Sequence, residues 1–244
     1  MLKLRLICLL TVASLFITSS CTTEQILNTT NTILNSTGEP TEGEVSGGLK
    51  EALIQGISKG VLSASKQNGY NNNSLIKIPF PQDAIKVANT LRDIGLGKEV
   101  DKFVTTLNRG AEDAATAAKP IFINAIKSLT IQDAFAILKN DNKQAATDFL
   151  KRTTEAQLRE AFMPKMSASL DKVNATKYYG DLVGKYNRLP TTFKKLNPDL
   201  NEYATQLAID GLFKLVAQEE KNIRANPAAR ASALLKKVFG AQDQ

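Results

Sequence analysis

The 244-residue chain contains no histidine and no tryptophan, and it has only two cysteines, Cys8 and Cys21. Without histidine there is no serine–histidine or cysteine–histidine nucleophile and no imidazole metal site. The usual side-chain switch near neutral pH is missing as well. Both cysteines fall within the first 21 residues. The chain beyond Cys21 therefore has no disulfide, no thiolate nucleophile and no sulfur-ligated metal. Carboxylates, Lys, Tyr, Ser and Thr are what remain for chemistry. We find no alternation that reads as a β-strand and no internal repeat.

What the N-terminus does contain is a leader. Lys3 and Arg5 form a basic head, and Leu6 to Ile17 is apolar except for Thr11 and Ser14. Thr18, Ser19 and Ser20 are small and polar, and Cys21 follows. Basic head, short apolar run and small-residue zone define a secretory signal. The run is shorter than the roughly 20 residues that span a bilayer. A cysteine directly after the small residues resembles a lipobox, with Thr18 standing where lipoboxes usually carry Leu. Residues 1–20 thus read as a lipoprotein signal peptide and Cys21 as the acylated residue. Two or more acyl chains hold a protein stably on a membrane. Thr22 and Thr23, with no Asp after the cysteine, point to the outer membrane, facing the periplasm. The alternatives are an ordinary cleaved leader or an uncleaved hydrophobic tail, with Cys21 as a bystander.

Residues 21–47 are rich in Thr, Asn, Ser, Gly and Glu and read as a flexible tether. About 26 such residues span roughly 28 Å on average. The chain carries 31 Lys+Arg against 24 Asp+Glu, a net charge of +7, which falls to +5 once Lys3 and Arg5 leave with the signal. A mild positive excess outside the cytoplasm suits anionic head groups or acidic glycans, and makes nucleic acid a poor partner.

From residue 48 to 240 the pattern is helical nearly throughout. Leu49, Leu53, Ile57 and Val61 start it at helical spacing, and Asn68-Gly69 ends that helix. The prolines of Ser74–Pro81 make an extended connector. Ala84, Val87, Ala88 and Leu91 form a second helix. A long stripe from Val100 to Leu129 follows, which Pro120 should kink or divide. Thr130 with Asp133 is a capping-box variant. Pro164 should kink the helix over 145–173, and another runs over 175–188. Asn197-Pro198 predicts the start of a helix to about 225, apolar nearly all round between Ala204 and Ala217 and so buried at the centre. Asn226-Pro227 repeats that start signal, Gly240 ends the last helix, and 241–244 are a tail. The fold class expected is all-α, a single bundle of about eight helices around a buried C-terminal central helix.

The run Glu219-Glu220-Lys221-Asn222-Ile223-Arg224-Ala225-Asn226-Pro227-Ala228-Ala229-Arg230, then Leu234 to Gly240, resembles the signature of the bacterial domain of unknown function 4197 family. Gly48 to Leu53, Ala118-Lys119-Pro120-Ile121-Phe122, Ala145-Ala146-Thr147 and Pro198-Asp199-Leu200 extend the resemblance over about 48–240. The resemblance implies a secreted or lipid-anchored helical domain and supplies no activity.

Glu219, Glu220, Arg224 and Arg230 are the densest charged cluster beside the buried helix. Glu220 and Arg224 share a helix face. The cluster reads either as a site for an anionic group or partner loop, or as an ion-pair network that fixes the corner between the last two helices. Asn140-Asp141-Asn142 lacks the Gly and Glu of a calcium loop and reads as a turn. Tyr178-Tyr179 reads as packing or as an aromatic contact surface. Glu155 and Glu160 are five apart, off a common face, and make a poor acid–base pair. No metal site, cofactor motif or catalytic residue emerges. The function expected is a lipid-anchored interaction module with a protein partner in the envelope. The alternative is a binder of a lipid or other small apolar molecule in a cavity between helices.

Overall fold

The computed structural model describes residues 39–172, 174–188 and 195–240. The leader, Cys21 and the tether up to residue 38 lie outside the described residues. Among the described residues there are nine α-helices, two short 3₁₀ turns and no strand. The expected all-α bundle is what forms.

Helix α1 spans Glu42–Ser65, α2 Ile85–Asp93 and α3 Gly97–Ala115. Helix α4 spans Ala118–Lys127, α5 Ile131–Leu138 and α6 Ala145–Asp171. Helix α7 spans Ala175–Asn187, α8 Leu200–Ala225 and α9 Ala233–Gly240. The domain starts earlier than the tether reading placed it, because residues 42–47 are helical. Thr41 and Glu44 form a reciprocal capping box: Thr41 Oγ1 accepts from the Glu44 amide and Glu44 accepts from the Thr41 amide. Glu44 also pairs with Lys237 of α9 at 2.7 Å, and Gly48 brings α1 against Val238. The first turn of α1 is thus held by the last helix of the chain.

Pro120 divides the long stripe, as expected. The break falls at Thr116–Ala117, and Pro120 sits in the first turn of α4, where its missing N–H needs no partner. Pro164 lies inside α6, which runs continuously through it on an exposed face. The start predicted at Asn197-Pro198 is shifted by two residues. Asp199 is the N-cap and accepts from the Glu202 amide at 3.0 Å, while Asn197 accepts from the Asp199 amide.

The three long helices α1, α6 and α8 form the heart of the core, with α3 packed on α6 and α8. Leu49, Ile57, Leu107, Phe122, Leu158, Phe162 and Leu212 are at most 2 % exposed. Burying each such side chain contributes about 1.5–3 kcal/mol. The alanine face of α3 (Ala111, Ala114, Ala115) is fully buried, and Gly110 lets α3 approach Met166 and Ser169 of α6. Helix α8 is not apolar all round. Gln206 and Asp210 are half-buried and Lys214 is exposed, because spacing of four puts them on one stripe. That stripe opens a groove described below.

The Glu44–Lys237 pair generates a testable pH dependence. The hydrogen bond from Lys237, then those from Thr41, hold the Glu44 carboxyl below its ordinary value of 4.5. A lowered folded-state pKa stabilises the fold above the unfolded value, and that stability disappears as pH falls through the folded one. Glu44→Gln should therefore be less stable than wild type near neutrality. The two unfolding curves should converge below pH 4.5. Urea titrations across pH check this, and a constant gap at every pH would contradict it.

Candidate functional site

The polar cluster at the end of α8 closes on the fold itself. Helix α6 begins without a side-chain cap from Gln144. Glu220 supplies the cap from α8: it accepts from the amides of Ala146 at 3.1 Å and Thr147 at 2.9 Å, and from the Thr147 hydroxyl at 2.8 Å. A carboxylate there satisfies two otherwise unpaired N–H groups and sits at the positive end of the α6 dipole. Arg224 donates through Nε and Nη2 to Glu220 Oε1, at 3.1 and 2.9 Å. The same guanidinium donates to the carbonyls of Ile137 and Leu138, where α5 ends. Arg230 donates to the carbonyls of Ile223 and Arg224 at the end of α8, and its guanidinium lies 5.8 Å from the Phe239 ring.

Glu219 does not join the other three. It faces α1, with Lys59 at 4.0 Å and Gly56 against its Cβ. The cavity behind Glu220 and Arg224 measures about 20 Å³, room for no more than a water molecule. Glu220 and Arg230 are buried, and Arg224 nearly so. Their hydrogen-bonding groups are directed at helix ends, so the cluster is a structural corner.

A second buried network was missed in the sequence. Glu112 accepts from the amides of Tyr70 and Asn71 and from Arg109. Asn108 accepts from the Ile78 amide at 2.8 Å and donates to the Ile78 carbonyl at 2.9 Å. Both lie on the buried face of α3 and pin the connector between α1 and α2, which runs through hydrogen-bonded turns over 66–77, where an extended stretch from Ser74 was expected, and is irregular only from Lys77 to Phe80. Burial first, and the Glu112 charge second, push the Tyr70 hydroxyl far above its ordinary pKa. It stays protonated and donates to the Ala208 carbonyl at 2.6 Å. Gly211 and Gly69 have no room for a Cβ, which would lie 2.9 Å from the Tyr70 ring and 2.3 Å from the Ser63 carbonyl oxygen respectively. The only signal available was a Glu and an Asn one turn apart on an otherwise apolar stripe.

The remaining candidates separate cleanly. Asn140 accepts from the Asn142 amide and Asn142 from the Gln144 amide, so this segment is a turn. Among the described residues no group of three or more Cys, Asp or Glu is placed to hold a metal ion. Glu155 accepts from Gln206, while Glu160 is exposed. Tyr179 is buried and Tyr178 is 67 % exposed.

Two of the open concave surfaces among the described residues are wide. The first is a groove of about 780 Å³ between α6 and α8. Lys143 and Lys151 line it from the α6 side, Lys214 and Lys221 from α8. Leu207, Phe213 and Ala217 contribute apolar surface to it, and Asp148 and Asp210 are its acids. Lys151 pairs with Asp210 at 3.2 Å, whereas Lys143, Lys214 and Lys221 are exposed and make no ion pair with a described residue. The second is a cleft of about 570 Å³ between α2, α3 and α7.

If the corner is structural, Glu220→Gln should cost about 3 kcal/mol or more in unfolding free energy, as expected on breaking a buried ion pair. Equilibrium denaturation checks it. A loss below about 0.5 kcal/mol, the range of unconstrained surface positions, would contradict it.

A family model described as "Protein of unknown function (DUF4197)" matches residues 39–240. No curated protein and no solved structure shows a significant match. The matched span is the whole described helical domain, corner and both open surfaces included, and the chain belongs to the DUF4197 family of proteins of unknown function.

Proposed function

We propose that this protein is a helical interaction module held on the bacterial envelope through acyl chains on Cys21, and that it meets an acidic protein partner through the lysine-lined groove of α6 and α8. The observation that carries the reading is the charge of that groove. Three exposed lysines, Lys143, Lys214 and Lys221, flank apolar surface without an ion-pair partner among the described residues. Charged edges around an apolar centre are the arrangement of a protein interface, with the edge charges setting approach and register. The charged cluster that the sequence offers for chemistry is used at helix ends, and the buried Glu112 is used along the connector. The leader and Cys21 support the anchor and the periplasmic-side location at the outer membrane.

The test joins anchor and groove. Intact-mass analysis of the chain from membranes should give an acylated Cys21, and Cys21→Ala should abolish it. A photo-crosslinking residue at Gln218, an exposed groove position, should trap one partner in intact cells. The same residue at Ala168, an exposed α6 position that does not line the groove, should not. Lys143→Glu with Lys214→Glu and Lys221→Glu should remove the crosslink while leaving the fold intact. Crosslinks that ignore the charge reversal, or an unmodified Cys21, would overturn the corresponding half of the proposal.

A further inference from the structure

The cleft between α2, α3 and α7 is walled mainly by aromatic and branched apolar side chains. Phe80 from the connector and Phe103 from α3 stand together, ring centroids 4.9 Å apart. Val87 and Leu91, one turn apart on α2, close the opposite wall. Tyr178 of α7 lines the cleft with two-thirds of its surface in water. A volume of about 570 Å³ lies within the roughly 300–1,000 Å³ of small-molecule sites. Large aromatic and branched side chains left open to water in one concavity mark a binding surface.

The polar groups at the cleft are few and mostly of one sign. Lys102 on α3 and Lys172 after α6 line it, with Glu99 as its single carboxylate and Asn174 as its amide. Neither lysine nor Glu99 makes an ion pair with a described residue, so the lining carries a net charge of +1. Asn174 holds a left-handed backbone, φ 52°, in the turn between α6 and α7.

Helix α2 supplies the decisive observation. It has nine residues, and only Ala88 is buried. Isolated helices shorter than about 12–15 residues are marginal in water. Apart from the preceding 3₁₀ turn, its substantial packing is against α3. Val87 and Leu91 are half-buried and line the cleft. An apolar body placed there would bury what α2 leaves open and would hold the helix down.

We infer that this cleft is a binding site for a single-chain amphiphile with an anionic head, the chain lying between Phe80, Phe103, Val87 and Leu91 and the head between Lys102 and Lys172. The site is separate from the groove of α6 and α8, and either can fail without the other. Binding uses pre-formed aromatic walls on α3 and α7 and orders α2 as the fourth side.

The test uses the full chain with Cys21→Ala, so that its own acyl group cannot compete. Laurate and a lauroyl lysophosphatidylglycerol are titrated by displacement of 1-anilinonaphthalene-8-sulfonate, with dodecyltrimethylammonium as the cationic control. Both anionic amphiphiles should bind at least tenfold more tightly than the cation, and whichever binds tighter separates a free fatty acid from a lipid head group. Lys102→Glu with Lys172→Glu, both at exposed positions, should lower affinity for laurate roughly tenfold and reverse the preference. Tyr178→Ala should weaken every amphiphile alike. Laurate should slow amide hydrogen exchange over Ile85–Asp93 in the parent chain. Equal affinity for anion and cation, or binding that neither the lysine variant nor α2 protection registers, would overturn the assignment.

Discussion

One carboxylate, that of Glu220, holds the corner on which this bundle depends. Helix α6 is 27 residues long and starts with no side-chain cap of its own. Its first amides would be left without partners against the core if α8 did not bring Glu220 to them. The charge that caps α6 is then balanced by Arg224, one turn on, whose other N–H groups close the end of α5. A buried carboxylate is tolerable only when it is paired and its lone pairs are filled. Both conditions are met by groups that also needed partners. The start of α6 and the end of α5 are thereby tied to α8 at one point.

Elsewhere the same economy sets where the molecule is firm and where it is loose. The connector from Lys66 to Pro81 has neither α-helix nor sheet; turns satisfy part of its backbone, Asn108 and Glu112 reach the rest from α3, and Tyr70 ties it to α8. Beyond the connector that support stops. Helix α2 has a single buried residue, and its turn into α3 exposes Ile94 and Leu96 around Gly95 at φ 88°. Regions with few buried contacts open most easily and are where binding is commonly placed. The rigid part of the fold thus presents one flank, α3 with α7, against a lightly held α2. On α6 and α8 it presents a second surface in which charge rather than shape is unspent.

Much of this was legible in the sequence because it rests on periodicity and on local hydrogen bonding. The helix order, the division near Pro120, and the Thr130–Asp133 cap follow from residues close together in the chain. The start of α1 was misplaced because Gly43 and Gly47, following Pro40, make residues 42–47 look like linker. Yet Thr41 and Glu44 carry a capping box, and Gly48 is there for the close approach of Val238. The polar stripe of α8 was hidden by the apolar residues around Asp210 and Lys214. Spacing put Glu220 and Arg224 on one helix face, where they form an ion pair, but the choice between site and corner depended on contacts to Thr147 and Ile137, 73 and 87 residues away. Glu112 and Asn108 escaped notice for the same reason: their partners on the connector lie 42, 41 and 30 residues away. Neither open surface could be read, since each is assembled from three or more segments.

The Glu220–Arg224 corner builds the fold and leaves binding to other surfaces. A double-mutant cycle on Glu220→Ala and Arg224→Ala, read by urea unfolding, tests it most directly. Large single losses are expected that are strongly non-additive, with a coupling of about 1–3 kcal/mol, as for residues in one buried network. Additive losses near zero, with stability untouched by either change, would mean that the corner is not what holds the helices, and would return the cluster to the list of candidate sites.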